Sequence, residues 1–372
     1  MASRFRLFTK RFFIYSNVIL AVVFLLSCLA SWVDPRQWWY ITMLGLGFPV
    51  FLFLLVFFLL CWLIVRPRWA LISAITLVMG YKSIIVFFAF HAPGAFQYQK
   101  DPKNIRVATW NVARFIEMMR NNNKGSQTRL KMMDLIKAQD ADILCFQEFF
   151  HSFDSAWYPN INYIRDNFNY PYWYYSHDND GEKHYTGSII FSRYPIIDSG
   201  MIRYPRPTLP DALLHADIKI NGDTIRVYTT HLQSLQFGKD DYEKISAIED
   251  ANDSLVRNSR SIASKIRKGF MYRSIQADII KQVLQDCPYP MLFCADLNDV
   301  PNSYTYFTVR GDMQDAFLKK GFGVGRTFSS LSPTLRIDYI LADEHFKVRQ
   351  FNRLVKNYSD HYMLVSDLTL IK

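Results

Sequence analysis

The sequence predicts an α/β soluble domain at residues 104–372, a linker at 93–103 and a membrane-spanning region at 1–92, on three observations. Long apolar runs are confined to the first ninety or so residues. Beyond them, short apolar runs of strand length recur, and polar side chains close nearly every one. Between those runs lie stretches with apolar residues at helical spacing, Leu130 to Lys137 and Ser261 to Gln285.

Crossing a hydrocarbon layer of about 30 Å takes roughly 20 residues. Phe12 to Val33, Trp38 to Val65 and Trp69 to Phe90 each meet that length. Arg4, Arg6, Lys10 and Arg11 precede the first segment, and Arg66 and Arg68 separate the second from the third. With both basic clusters held in the cytoplasm, three crossings leave the soluble domain outside it. The rival is a two-helix hairpin with a surface-lying third segment, because Lys82 falls inside that segment and a cation there costs about 2.5–3.5 kcal/mol. Trp32, Trp38, Trp39 and Tyr40 suit an interfacial aromatic belt. Leu25 to Cys28 loosely matches a lipoprotein processing site, which further spans make unnecessary.

Charge follows the same division. Residues 1–93 hold eight Lys or Arg against Asp34 alone, so +7 of the formal +10 flanks the membrane and only about +3 remains for the rest. A basic overall balance is therefore no argument for nucleic-acid binding. Cys28, Cys61, Cys145, Cys287 and Cys294 show neither zinc-site spacing nor a disulfide framework; a Cys287–Cys294 bridge stays open.

In the soluble domain, Ile105 to Trp110 reads as a strand ending at Asn111, and Asp142 to Phe146 as one ending at Gln147-Glu148. Residues 158–175 are crowded with aromatics and suit a substrate rim or a loop packed on the core. Gly187 to Ser192 and Thr224 to Thr230 are further strands, the second reaching His231. A polar insert begins at Gly238. From Arg257 to Arg273 there are six cations and no acid, with Ile262, Ile266 and Phe270 four apart, a basic amphipathic face that either packs on a sheet or meets phosphates. Arg336 to Ala342 carries Asp338, and Asp360-His361 stands before a last strand, Met363 to Leu370.

The stretch Met291 to Ser303 concentrates the signal, since a buried strand there ends in Asp296-Leu297-Asn298-Asp299 before Pro301. Alternation turns Asp296 and Asn298 to one side, where a carboxylate and an amide can hold a water or a divalent ion. An Asx turn closing the strand is the plainer alternative.

Together, Asn111, Glu148, His231, Asp296, Asn298, Asp338, Asp360 and His361 sit at strand ends in separate elements. The order WNV, QE, THL, DLN, RIDYIL, SDH resembles the endonuclease/exonuclease/phosphatase superfamily, the DNase I-like fold, and within it membrane-tethered bacterial members. The resemblance implies a two-sheet α/β sandwich flanked by helices, a phosphate-ester substrate, and a place in the bacterial inner or cell membrane. It implies Glu148 as principal ligand of Mg²⁺ or Mn²⁺, with Asn111 beside it and Asp360 available. Asp296 and Asn298 would orient or deprotonate the attacking water, Asp338 would hold His361, and His231 would be the second phosphate-facing histidine. Hard carboxylate oxygens suit such ions, and phosphoryl transfer needs charge neutralisation and an in-line water more than covalent help. One departure stands out: DNase I-like nucleases back the first histidine with an upstream glutamate, and around Tyr185-Thr186-Gly187 no acid stands at the matching place. The expected activity is hydrolysis of a lipid head-group phosphodiester at a bilayer; a tethered nuclease and an inactive scaffold of the same fold are the alternatives.

Overall fold

The computed structural model describes residues 2–92, 94–120, 127–208, 211–235, 237–238, 240–241 and 255–371, and the chain divides into two compact units. Most of the polar insert after Gly238 lies outside the described residues, as do the side chains of Arg4, Arg6 and Arg257.

The first unit comprises residues 1–87, 235–274 and 300–307. Its helices are α1 (Ala2–Cys28), α2 (Pro35–Leu46), α3 (Phe48–Val65), α4 (Pro67–Met79) and α5 (Tyr81–Phe87). Phe8–Ser31 and Phe48–Val65 are long and apolar enough to cross a membrane, and α4 with α5 makes a third if that pair, bent by 68°, counts as one span. Trp38 to Val65 is therefore not one helix: the chain breaks at Gly47, with proline in the first turn of α3. The third segment bends at Gly80, where the Phe24 ring is so close that an added Cβ would lie 2.4 Å from it. Lys82 comes after that bend and is exposed, with its ammonium 5.1 Å from the Trp32 ring in a cation–π contact. Ser73 Oγ donates to Asn17 Oδ1 at 3.0 Å, a buried polar link between α4 and α1.

Two pieces of the expected soluble domain belong to this unit. Asn302 Nδ2 donates to the Ser27 carbonyl at 2.9 Å, and Phe307 lies 6.5 Å from the Trp32 ring. The long helix α8 (Leu255–Gln285) also belongs here as far as Ser274. Ile262 and Phe270 are buried while Arg260, Arg267 and Lys268 are exposed, so the apolar stripe packs and most of the cations are solvated. Arg267 lies over Trp39 at 5.1 Å and Lys265 pairs with Asp241 at 2.5 Å.

The second unit, residues 88–234, 275–299 and 308–372, is a two-sheet sandwich. Its strands are β1 (Ile105–Asn111), β2 (Ile143–Gln147), β3 (Tyr172–Tyr175), β4 (Ile189–Ser192), β5 (Ile196–Arg203), β6 (Ala212–Ile220), β7 (Asp223–His231), β8 (Met291–Asp296), β9 (Gln314–Asp315), β10 (Asp338–Ala342), β11 (Phe346–Leu354) and β12 (Met363–Leu370). One sheet runs β9-β10-β8-β7-β6-β5 and the other β11-β12-β1-β2-β4-β3. Between them Val107, Ile143, Ile218, Val227, Leu292 and Ile340 form an apolar core. Helices α6 (Thr128–Gln139) and α7 (Asn160–Phe168) cover the outer face of the second sheet.

The aromatic stretch 158–175 is thus not an irregular rim but α7 followed by β3. Ile164, Tyr170 and Tyr175 are buried, and the hydroxyls of Tyr170 and Tyr175 donate to the carbonyls of Ala141 and Phe149. The expected linker is also tied down, since Gln97 bonds Gln350 and Lys100 pairs with Asp142, and just before it Ala89–Phe90, the end of the expected third span, pairs as a strand with Phe322–Gly323. All five cysteines are free, which removes the Cys287–Cys294 bridge.

Candidate active site

Strand register assembles the site. β7 and β8 run parallel with His231 opposite Asp296, and β8 and β10 run antiparallel with Asp296 opposite Asp338. Three chemically active side chains therefore share one sheet edge. In the other sheet, β1 and β2 run parallel with Asn111 opposite Gln147, so Glu148 leaves β2 beside Asn111. Asp360 and His361 immediately precede β12, which pairs with β1. Gln147 bridges the layers, donating to Thr109 Oγ1 at 3.2 Å and Thr229 Oγ1 at 2.9 Å.

Asp296 is the hub and is fully buried. Its Oδ2 accepts from Asn111 Nδ2 at 3.1 Å and lies 3.6 Å from His361 Nδ1 and 3.8 Å from His231 Nε2. The same Asn111 amide donates to Glu148 Oε1 at 3.0 Å, and Glu148 lies 3.6 Å from His231 Nε2. Two carboxylates, an amide and both imidazoles thereby converge.

Asn298 does not continue the strand, which ends at Asp296. It has φ 51°, and its N–H donates to Asp296 Oδ1 at 2.9 Å, the Asx turn that was the plainer reading. Its Nδ2 donates to the Leu232 carbonyl at 2.9 Å, and the amide oxygen is its acceptor group. The turn and the chemistry are compatible, because the turn uses one Asp296 oxygen and the site the other.

His361 is held on several sides. Its Nδ1 lies 3.0 and 3.1 Å from the two Asp338 oxygens, its carbonyl accepts from Trp110 Nε1 at 2.9 Å, and its N–H donates to Ser359 Oγ. Burial disfavours the imidazolium, but the carboxylates of Asp338 and Asp296 outweigh it and raise His361 to about 10. Burial raises Asp338 to about 6, against the pull of His361. The close approach of the two groups favours the carboxylate–imidazolium form of the pair. Asp360 is exposed, and its carboxylate accepts from Ser359 Oγ at 3.2 Å. That Ser359 hydroxyl also donates to the Asn111 carbonyl, tying Asp360 to the strand end without bringing it onto Glu148.

The orienter of His231 is Asp211, whose Oδ2 lies 3.6 Å from His231 Nδ1. Here too burial opposes the charge, and Asp211, Asp296 and Glu148 together raise His231 to about 10. The sequence did carry a signal for this partner. Asn221-Gly222, both at positive φ, form the tight turn between β6 and β7, and the pairs Ile220–Asp223 through Leu214–Thr229 count back from it. Extending that register sets Ala212 opposite His231, with Asp211 next to it.

A cleft of about 320 Å³ opens over these groups, lined by Glu148, His231 and Asp211 together with Arg114, Asp178 and Thr186. Gly187 lets the wall close, because a Cβ there would lie 2.0 Å from Ser176 Oγ and 2.4 Å from Asp178 Oδ2.

The model of the Endonuclease/Exonuclease/phosphatase family matches residues 108–361, a span that holds all eight expected site residues. This chain belongs to that family. A domain of unknown function (DUF8431) matches residues 10–87. Solved structures show the same fold: an endonuclease/exonuclease/phosphatase from Beutenbergia cavernae DSM 12333 is 18% identical with TM-score 0.51, covering 72% of each chain. The human Nocturnin catalytic domain with bound sulfate anion is 19% identical with TM-score 0.50, covering 73% of this chain and 97% of that one. No curated protein matches the sequence.

Family members of this fold hydrolyse phosphoester bonds, and the donors here fit the hard divalent ion the family uses. Glu148 and Asp296 offer carboxylate oxygens that share one Asn111 amide, a negative pocket with no thiolate. Ligand atoms of Asp296, Asp338 and His361 also lie within 4.8 Å of one another, but a His361 imidazolium paired with Asp338 is a poor ligand, which favours the Glu148 side. Asn111 presents its NH₂ there, since its oxygen accepts from Ala113 N–H at 3.0 Å.

Proposed function

We propose that this protein is a membrane-anchored, divalent-metal-dependent phosphodiesterase acting on a lipid head group. The observation that carries the reading is the chain of close contacts from Glu148 through His231 and Asp296 to His361, whose Glu148 and His231 line the cleft, in a chain whose N-terminal helices are long and apolar enough for a bilayer. Glu148 holds Mg²⁺ or Mn²⁺ with Asn111 beside it and Asp360 in reserve, and the bound ion supplies charge neutralisation on the phosphoryl oxygens. Asp296 Oδ2 and the Asn298 amide oxygen orient the attacking water and draw off its proton. His361, kept cationic by Asp338, stabilises the developing charge or gives its proton to the leaving oxygen. His231, kept cationic by Asp211 and Glu148, faces the same phosphate from the other side.

A lipid substrate fits the placement of charge and chain. Residues 94–372 carry only about +3, a weak field for a general nuclease. Phe88 opens the catalytic unit directly after Phe87 closes the helical one, so the catalytic unit is tethered directly to the apolar helices. The aromatic stretch 158–175 adds no support, being largely committed to the core.

The test uses full-length protein in detergent micelles, because residues 235–274 and 300–307 belong to the helical unit and a domain truncated at its N-terminus would leave them without residues 1–87. Hydrolysis of bis-p-nitrophenyl phosphate should require Mg²⁺ or Mn²⁺ and fail in His361→Ala and Glu148→Ala. Equal activity in wild type and both variants sinks the assignment. Mixed phospholipid and sphingolipid vesicles, run beside plasmid and single-stranded DNA, decide the substrate; metal-dependent DNA cleavage without lipid turnover replaces the lipid reading with a tethered nuclease. Three crossings would place the catalytic unit outside the cytoplasm, so a reporter fused after Lys103 should give active alkaline phosphatase and dark green fluorescent protein. The reverse pattern overturns that orientation.

A further inference from the structure

We propose that Arg114 is the specificity residue of the cleft, binding a second anionic group of the substrate next to the scissile phosphate. The inference rests on the phosphodiesterase reading above and narrows the head group to one that carries a further phosphate or carboxylate.

Arg114 stands where the backbone is most strained. Ala113, Arg114, Phe115 and Ile116 have φ of 43°, 56°, 60° and 62°, a left-handed turn without a glycine. Such a turn persists only where its surroundings enforce it, and strain of this kind gathers at ligand sites. Here the surroundings are specific. Phe115 is fully buried, with its ring 5.3 Å from Phe149. Ala113 N–H donates to Asn111 Oδ1 at 3.0 Å, and Arg114 N–H donates to the Glu148 carbonyl at 2.9 Å. The turn is thus fastened to both residues of the metal-binding edge, and its position is set by theirs.

The side chain is braced as well. Arg114 Nη1 and Nη2 reach Asp180 at 2.9 and 3.4 Å, while the guanidinium, still 41% exposed, lines the cleft with Glu148 and His231. Asp180 fixes one edge of the fork, and the remaining N–H groups are available to a ligand. The acids around it do not reserve the cleft for a cation. Asp178 is bound by Arg203 and Ser176 Oγ, Asp211 by His231, and Asp180 by Arg114 itself. Among the described residues, Arg114 is the one guanidinium lining this cleft. The scissile phosphate already has both histidines, so a planar, permanently charged fork one side chain beyond Glu148 suits a neighbouring anionic group of the same molecule.

The experiment is an internal competition with full-length protein on one population of vesicles holding equal cardiolipin, phosphatidylglycerol and phosphatidylcholine. Surface charge is then common to all three lipids, and product ratios by mass spectrometry report relative kcat/KM. Wild type should favour cardiolipin, which carries a second phosphate, over phosphatidylglycerol by about ten- to a hundred-fold, the scale of one charge-assisted contact. Arg114→Ala should bring that ratio close to one, and Arg114→Lys should restore much of it. A merely structural defect would slow all three lipids in parallel and leave the ratio standing. A parallel arm compares a thymidine dinucleotide with and without a terminal phosphate. If the Arg114-dependent preference appears there alone, the second anionic group stands and its source is a nucleotide. The inference is overturned if wild type shows no preference, or if Arg114→Ala keeps the wild-type ratio. A wild type inactive on every ester, bis-p-nitrophenyl phosphate included, takes down the phosphodiesterase reading and this inference with it.

Discussion

Asp338→Asn is the sharpest probe of how His361 works. The exchange keeps the shape of the side chain, removes its charge, and offers an NH₂ to the imidazole nitrogen that faces it. In the native protein both Asp338 oxygens lie 3.0–3.1 Å from His361 Nδ1, and the pair is almost completely buried. Asp296, at 3.6 Å, still supports the imidazolium after the substitution, so the loss should fall short of removing the histidine. General acid–base groups contribute about 10²–10⁴ in rate. An amide donor that enforces the wrong tautomer incurs much of that loss, as in hydrolase triads. We therefore expect turnover to drop by about 10²–10³, or roughly 3–4 kcal/mol of barrier at 1.36 kcal/mol per decade. Asp211→Asn should cost less, about tenfold, because Asp211 stands 3.6 Å from His231, beyond hydrogen-bond length, and Glu148 and Asp296 also flank that ring. Both variants are assayed as full-length protein at saturating Mg²⁺, with thermal unfolding to verify folding. A fully active Asp338→Asn beside an inactive His361→Ala refutes the pairing. The reverse ranking of Asp338 and Asp211 refutes the use made of the distances.

Asp367→Ala should destabilise the catalytic unit by about 3–5 kcal/mol, since it strands the buried Arg106 guanidinium, now paired at 2.7 and 3.0 Å; chemical denaturation measures this, and a loss under 1 kcal/mol contradicts it. His151 supplies a pH dependence. Burial first, and then the charge of His177, lowers it from 6.5 to about 4, and its Nδ1 accepts from Ile161 N–H at 3.3 Å, so the fold requires the neutral ring. The unfolded chain takes up this proton near 6.5 and the folded one only near 4, so stability should decline as pH falls across that interval. His151→Gln should flatten that part of the melting-temperature profile, and an unchanged profile assigns the acid sensitivity elsewhere.

The sequence by itself placed the candidate site residues at strand ends and showed where the apolar helices lie. Both are local signals: a strand that must be buried until its end turns polar at the site, as at Asn111, Glu148, His231 and Asp296, and an apolar run long enough for a bilayer reads as one. The strands β5, β6 and β11 escaped because their exposed or mixed faces carry no such run, and β3 because its aromatics suit a loop equally well. What required tertiary structure was pairing. Asp211 and His231 meet only because a hairpin folds about Asn221-Gly222, and Arg114 reaches the cleft only because a left-handed turn is fastened to Asn111 and Glu148. The break at Gly80 likewise depends on Phe24, more than fifty residues earlier in the chain. Residues 300–307 lie two positions past Asn298, yet they bond to Ser27 in the helical unit. Local composition places a residue at the end of its own strand; register and close packing between distant segments decide which other residue it meets.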